Sequence, residues 1–312
     1  MGVITKVKTE SREDWLKLRG KYIGGSDAAA VVGMNPYASP YSLWAEKTGK
    51  VPGFAGNLAC EVGTYLEEFV AQKFEDETGK KVRRCNMSFL NSDYPFAIAN
   101  IDREIVGEDA GLEIKTTNIL SLKKFKGGEY PASYYCQMVH YLAVTGKKKW
   151  YLAVLIGNKE FKWFTLERDQ TEIDSLMAAE KEFWEKVKND TPPMVDGTEA
   201  TTEAVKAVFQ TSNESTVDLS GYNSDILTFL TLNQQIKDLE AIRDEAANKI
   251  KVFMGETGYG ETGQHKVSWK ASSRKTFDVK RFEKENPGID TTGYYKVSNT
   301  RTFRVSEKKM EE

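Results

Sequence analysis

Phe96-Ala97-Ile98-Ala99-Asn100-Ile101-Asp102 and, after ten intervening residues, Glu113-Ile114-Lys115 within Gly111–Thr116 decide how this chain folds. In an extended strand, residues two apart share a face. Glu113 and Lys115 therefore point one way, and Leu112 and Ile114 the other, into a core. Asp102 ends an apolar strand, and a hairpin between the two strands brings it close to Glu113. Two neighbouring carboxylates raise one another's pKa unless a cation neutralises them. Oxygen donors select a hard cation such as Mg²⁺, and a lysine beside it holds or orients an attacking water. A Glu-x-Lys alternation also arises as an ion pair on any solvated sheet face. For a Glu-x-Lys alone the ion pair is by far the commoner reading; Asp102 at hairpin distance improves the odds of a metal site and leaves both open.

Outward from this pair, two-residue periodicity predicts strands over Lys81–Leu90 and Phe96–Val106, with Asn91-Ser92-Asp93 as the turn. Trp150–Ile156 and Phe161–Leu166 read as a hairpin around Gly157-Asn158. Helices are predicted near Ser11–Arg19, over Ala28–Val32, and over Tyr41–Thr48 after Ser39-Pro40. Three longer ones cover Ala59–Thr78, Tyr134–Thr145 and Glu172–Lys188. Ser26 or Asp27 is the expected N-cap of the second. This makes residues 1–198 an α/β domain. Residues 199–225, rich in Thr, Ser, Asn and Glu, read as a linker with one short helix. Residues 226–312 hold a long amphipathic helix, Ile226–Met254, then a glycine-rich stretch and a basic tail with strands at His265–Lys270 and Thr302–Ser306.

Further candidates lie on the helices. Over Ala59–Thr78, the 100° step puts Glu67 at the edge of the apolar stripe and Glu68 toward solvent, so Glu67 is the better third carboxylate. From this pattern alone, a helix-surface acid is the better reading of it. Tyr134, Gln137 and Tyr141 share one helix face, and a buried Gln137 needs a partner, such as a phosphate or a water. His140 lies off that face, and neither it nor His265 has a second ligand nearby. Gly24-Gly25-Ser26 turns into a helix behind Arg19. Backbone N–H groups, the Ser26 hydroxyl and a bidentate Arg19 suit a phosphate there. A capped helix with a surface arginine explains the same residues. No Gly-Lys-Ser/Thr follows, so this is not a P-loop.

The 312 residues are 40% hydrophobic and 29% charged, which excludes wholesale disorder. Tyr130–Gly146 is the longest uncharged apolar stretch and is too polar to span a bilayer. The first residues lack an apolar secretory core, and three scattered cysteines make neither a disulfide framework nor a zinc site. A cytoplasmic protein is expected. The net charge is only −2, yet Gln264–Arg304 carries ten Lys or Arg against four acids. With Trp269 and Phe277 interleaved, that segment suits a nucleic-acid surface, or those aromatics are core.

Taken in order, Leu18-Arg19, Ile23-Gly24-Gly25-Ser26-Asp27-Ala28, Asn35-Pro36-Tyr37, Ser39-Pro40, Leu43-Trp44, Gly63 through Leu66-Glu67, Ala99-Asn100-Ile101-Asp102, Gly111-Leu112-Glu113-Ile114-Lys115 and Tyr134-Tyr135-Cys136-Gln137 resemble a known family. It is that of the YqaJ-type viral recombinases, relatives of phage lambda exonuclease in the PD-(D/E)xK nuclease superfamily. The resemblance covers about residues 12–198 and implies a restriction-endonuclease-like core, a central mixed sheet flanked by helices. It implies a Mg²⁺-dependent exonuclease, with Mn²⁺ as a substitute, that digests linear double-stranded DNA 5′ to 3′. The 3′ overhang goes to a single-strand annealing protein. On that likeness Asp102, Glu113 and the Ile114 carbonyl ligate the metal, Lys115 activates water and Glu67 completes the acidic set. Gln137 and Tyr134 support the site, and Arg19, Ser26 and Gly25 match a pocket for the DNA 5′-phosphate. Asn100-Ile101 stands before Asp102 in place of the superfamily's Pro-Asp pair. Lambda-type members form a trimeric ring, so the resemblance also implies a homo-oligomer, which no feature of this sequence shows. An endonuclease on the same fold, or a non-catalytic DNA-binding accessory, is the alternative.

Overall fold

The apolar alternation through residues 82–105 is shared between two sheets rather than kept in one. The computed structural model describes residues 2–296 and 300–306, and the chain divides into two units, Met1–Phe209 and Gln210–Glu312. The first unit runs β1 (Ile4–Val7), α1 (Arg12–Gly20), β2 (Ile23–Gly24), α2 (Gly25–Val31), α3 (Pro40–Lys47), α4 (Leu58–Thr78), β3 (Val82–Arg84), β4 (Ser88–Asn91), β5 (Ala97–Asn100), β6 (Arg103–Ile105), β7 (Ala110–Thr117), α5 (Ala132–Thr145), β8 (Lys149–Ile156), β9 (Glu160–Glu167), α6 (Gln170–Lys188) and α7 (Glu199–Val208). A mixed five-stranded sheet has the order β3-β6-β7-β8-β9, with β7 and β8 parallel. A four-stranded sheet has the order β1-β4-β5-β2.

Each of the two long strands expected at 81–90 and 96–106 is broken in its middle. Arg84 pairs with Arg103, and Ser88 with Asn100. Residues 85–87 therefore face only 101–102, so one strand carries an extra residue. Such a bulge bends the ribbon and re-aims the side chains beside it. Here it carries the hairpin from one sheet into the other, and Asp102 sits at the bend. The edge strand β1, which pairs with β4, has no counterpart in the sequence reading. Three of its four residues are exposed, so it lacks an apolar signature.

Both faces of the five-stranded sheet are covered. Val70, Ala71 and Phe74 of α4 pack with Leu112, Ile114, Tyr151 and Ala153 on one face. Trp150, Leu152 and Val154 point to the other, toward Met138, Tyr141 and Leu142 of α5. The face that carries Glu113 and Lys115 thus meets a second core, not open solvent. Gly111 lies opposite Trp150 across the β7–β8 pair, and a Cβ there would stand inside the buried indole. His140 ties three elements together: its Nε2 bonds the Ile98 carbonyl at 3.0 Å and its Nδ1 the Glu180 carboxylate at 2.8 Å. It is a fully buried core histidine.

Residues 199–208 form α7, capped by Thr198 and joined to the start of α3 by a 2.7 Å bond from Thr201 Oγ1 to Ser39 Oγ. The second unit contains α8 (Asn223–Met254), β10 (Tyr259–Glu261), β11 (Lys266–Ser268) and α9 (Val279–Glu285). The strand expected at Thr302–Ser306 is not formed: those residues pair with no strand among the described residues, and Phe303 packs edge-on against Phe229 of α8. No described helix is long and apolar enough to cross a membrane.

Gly111→Ala should destabilise the fold by roughly 1–3 kcal/mol, the usual range for overpacking a dense core, read as a lower urea midpoint at unchanged slope. The His140–Glu180 pair should also set a pH dependence. A carbonyl only accepts, so His140 Nε2 carries a hydrogen, and the pair keeps one more proton between Nδ1 and the carboxylate. Burial alone would lower the His140 pKa, but Glu180 and the Ile98 carbonyl hold it above its ordinary value. The folded state then binds more protons than the unfolded chain above about pH 6.5, and its stability falls as pH rises through the folded pKa. In Glu180→Gln that fall above about pH 6.5 should flatten or reverse; a wild-type slope would contradict this account.

Candidate active site at the centre of β7

The β6–β7 register pairs Arg103 with Leu112, which sets Asp102 opposite Glu113. Asp102 Oδ2 accepts the Ile114 N–H at 2.8 Å, so its carboxylate occupies a place in the ladder. Burial, and then the Glu113 carboxylate, push its pKa well above the usual range, against the pull of Lys115. Glu113 is buried at 2% exposure. Its Oε1 accepts from Lys115 Nζ at 2.5 Å and from Gln137 Nε2 at 2.8 Å. Its Oε2 is buried and has no partner. Burial would lower the Lys115 pKa, but Glu113 and Asp102 raise it, so this side chain keeps its proton. The Tyr134 ring lies 5.4 Å from Lys115 Nζ, a cation–π distance. Gln137 also bonds the Tyr141 hydroxyl at 2.8 Å. The expected face of α5 thus does meet the carboxylates, and Gln137 finds its buried partner in Glu113.

Glu67 stands at the edge of this group. It pairs closely with Arg103 and lies 3.6 Å from Arg84, while Glu68 bonds Arg103 at 3.0 Å from an exposed position. The Glu67 charge still adds to the raised pKa of Asp102. Arg103, buried and bonded also to the Asp102 carbonyl, was missed in the sequence. A lone arginine on a strand gives no signal until the hairpin bend turns it onto α4. Among the described residues no three His, Cys, Asp or Glu side chains form a ready metal cage. Two facing carboxylates, one with an unpartnered buried oxygen, still fit a divalent cation: a positive charge would relieve their repulsion and satisfy Oε2.

Beside this centre, Arg19 Nη2 donates to Ser26 Oγ at 2.6 Å and its guanidinium lies 5.5 Å from the Trp15 ring. The N-cap of α2 is Gly24, not Ser26 or Asp27. Asp27 instead reaches back to the Gly24 N–H at 3.0 Å, the third-position half of a capping box. Burial would raise the Asp27 pKa, but Lys47 at 2.8 Å and Arg19 at 3.6 Å hold it low. Lys47 gave no signal in the sequence because its helix face is set by packing. A Cβ on Gly25 would come within 2.5 Å of the Tyr141 ring. Contacts therefore run from Gly25 through Tyr141 and Gln137 to Glu113, and join the Arg19–Ser26 pair to the carboxylates.

Residues 14–148 match the YqaJ-like viral recombinase domain. Protein YqaJ of Bacillus subtilis (strain 168) is 39% identical over 308 residues, which span 97% of this chain and 95% of that protein. A 63-residue stretch is 40% identical to protein D345L of African swine fever virus (strain Badajoz 1971 Vero-adapted), covering 20% of this chain and 18% of that one. Among solved structures, the alkaline exonuclease LHK-Exo of Laribacter hongkongensis superposes with a TM-score of 0.50 at 23% identity, over 57% of this chain and 94% of its own. That likeness shows the fold, restriction-endonuclease-like as the sequence implied. The domain match and the near full-length identity to YqaJ together place this chain in the YqaJ-like viral recombinase family.

Proposed function

We propose that this chain is a Mg²⁺-dependent exonuclease that digests one strand of linear duplex DNA 5′ to 3′, in phage-type recombination within a bacterial cytoplasm. The 3′ overhang it leaves serves a single-strand annealing protein. Residues 1–198 carry the chemistry, and assembly of copies around the duplex belongs to the same reading. The observation that supports it most is the buried Glu113 carboxylate, fixed by Lys115 and Gln137 opposite Asp102, with one oxygen left open.

Asp102, Glu113 and the Ile114 carbonyl would hold the ion, Mg²⁺ or Mn²⁺, with Glu67 on hand for a second. When bound, such an ion polarises the phosphodiester and lowers the pKa of water. Lys115 keeps its proton, so it acts as a donor that orients the attacking water and offsets charge on the phosphate, not as a base. Gln137 holds Glu113 Oε1 in place, and Tyr134 covers the ammonium. Arg19, Ser26 and the Gly25 backbone receive the 5′-phosphate. A guanidinium fork matches two phosphate oxygens, and the contacts from Gly25 through Tyr141 and Gln137 to Glu113 support a phosphate site near the carboxylates.

With end-labelled linear duplex, Mg²⁺ should release nucleotides, chelator should stop it and covalently closed circles should stay intact. Glu113→Gln and Lys115→Ala should each lose on the order of 100-fold or more in rate with little change in unfolding midpoint. Near-normal turnover by Lys115→Ala would remove that residue from the mechanism. Wild type should prefer 5′-phosphorylated over 5′-hydroxyl ends, and Arg19→Ala should erase that preference at a cost of about tenfold on phosphorylated ends. Indifference of the wild type to the end group would defeat the pocket.

A further inference from the structure

In the second unit, β10 and β11 pair antiparallel with Tyr259 opposite Ser268, Gly260 opposite Val267 and Glu261 opposite Lys266. The two faces of this hairpin differ. Gly260 lies against Met254, which is buried at the end of α8. Alternation turns Tyr259, Glu261, Lys266 and Ser268 to the opposite face, where Glu261 neutralises Lys266 at 3.5 Å. Lys270 Nζ continues that face, 4.4 Å from the Tyr259 ring centroid. Tyr259 is nonetheless 62% exposed, and Trp269 and Phe277 are 46% and 67% exposed.

Lys266 is thus paired with Glu261, as Lys80, Lys81, Arg83 and Arg103 of the first unit are paired with carboxylates. Lys270, Arg274 and Lys275 have no ion pair with any described acid. Unpaired cations hold counterions, whose release favours a polyanion. Exposed aromatic rings among them favour a ligand with flat apolar faces. A single nucleic-acid strand offers both, because its bases are free to stack, whereas a duplex hides them.

We propose that the open face of the β10–β11 hairpin and the segment through Phe277 bind single-stranded DNA. Tyr259 and Phe277 stack on bases, and Lys270, Arg274 and Lys275 contact phosphates. The source of the strand rests on the function proposed above, since digestion of one strand leaves the other unpaired. A site for that product on the same chain keeps it from re-annealing until the annealing protein takes it.

The test uses the full chain with Glu113→Gln, in chelator, so that neither metal nor turnover enters. Anisotropy is read with a fluorescein-labelled 30-nucleotide oligo(dT) and with a 30-base-pair duplex. Adding Lys270→Ala/Arg274→Ala/Lys275→Ala should weaken oligo(dT) binding at least tenfold. It should reduce the salt slope by about 2, at about 0.7 per phosphate contact. Tyr259→Ala should weaken it several-fold without a salt-slope change, and duplex affinity should hold in both variants. Circular dichroism should match the parent, since all four positions are exposed. Unchanged oligo(dT) affinity in the triple variant overturns the proposal. So does an equal loss on duplex, which would mark a general polyanion surface. Failure of the wild-type chain to digest duplex in Mg²⁺ would instead strike the nuclease reading and leave this binding result standing.

Discussion

Two like charges are forced together in the middle of a buried sheet, and the surrounding structure has to make that tolerable. Glu113 sits where a strand this deep would carry valine or isoleucine. Desolvating a carboxylate costs on the order of several kcal/mol unless partners replace water. Lys115 and Gln137 replace it on one oxygen only. Asp102 trades its own solvation for a backbone N–H. The remaining imbalance is an unsatisfied electrostatic demand that a cation would meet, and the rest of the first unit holds its shape around that demand.

Two devices sustain it. α5 supplies a polar face, Tyr134, Gln137 and Tyr141, inside a helix whose other side is core. The bent hairpin supplies Asp102 and, one residue on, Arg103, whose guanidinium ties α4 to the strand through Glu67 and Glu68. The third carboxylate is thus held in an ion pair at the edge of the site. The guanidinium is the buried member, and removing its carboxylate partners would leave that charge without compensation.

Much of this was legible in the sequence because it follows local periodicity. The Glu-x-Lys strand, the α5 face and the glycine-closed helices are all patterns of period two or 3.6. The hairpin partner of Glu113 was readable from spacing, since the ten-residue interval matches a strand, turn and return. The bulge at 85–87 was not readable. Cys85-Asn86-Met87 has the composition of any strand segment, and an extra residue shows only against the strand that opposes it. Arg103, Lys47 and the role of Asp27 were hidden for a related reason: each depends on which helix lies above it. Thr302–Ser306 failed in the opposite sense, because alternation without a neighbouring strand to bond does not make a sheet.

The extra residue opposite 101–102 also sets where this chain tolerates changes of length. Removing one of 85–87 would leave equal numbers on both strands and let the ribbon run straight. The second sheet would then lose its angle to the first, and the aspartate at the bend would lose its aim. Residues added after Asp93 lie beyond the last β4–β5 rung, Leu90 with Ile98, and past the contacts of Asn91 and Ser92 with β1, and leave the bend as it is. Insertions and deletions that look alike in a linear comparison therefore differ sharply in consequence, according to which side of the fourth strand they fall.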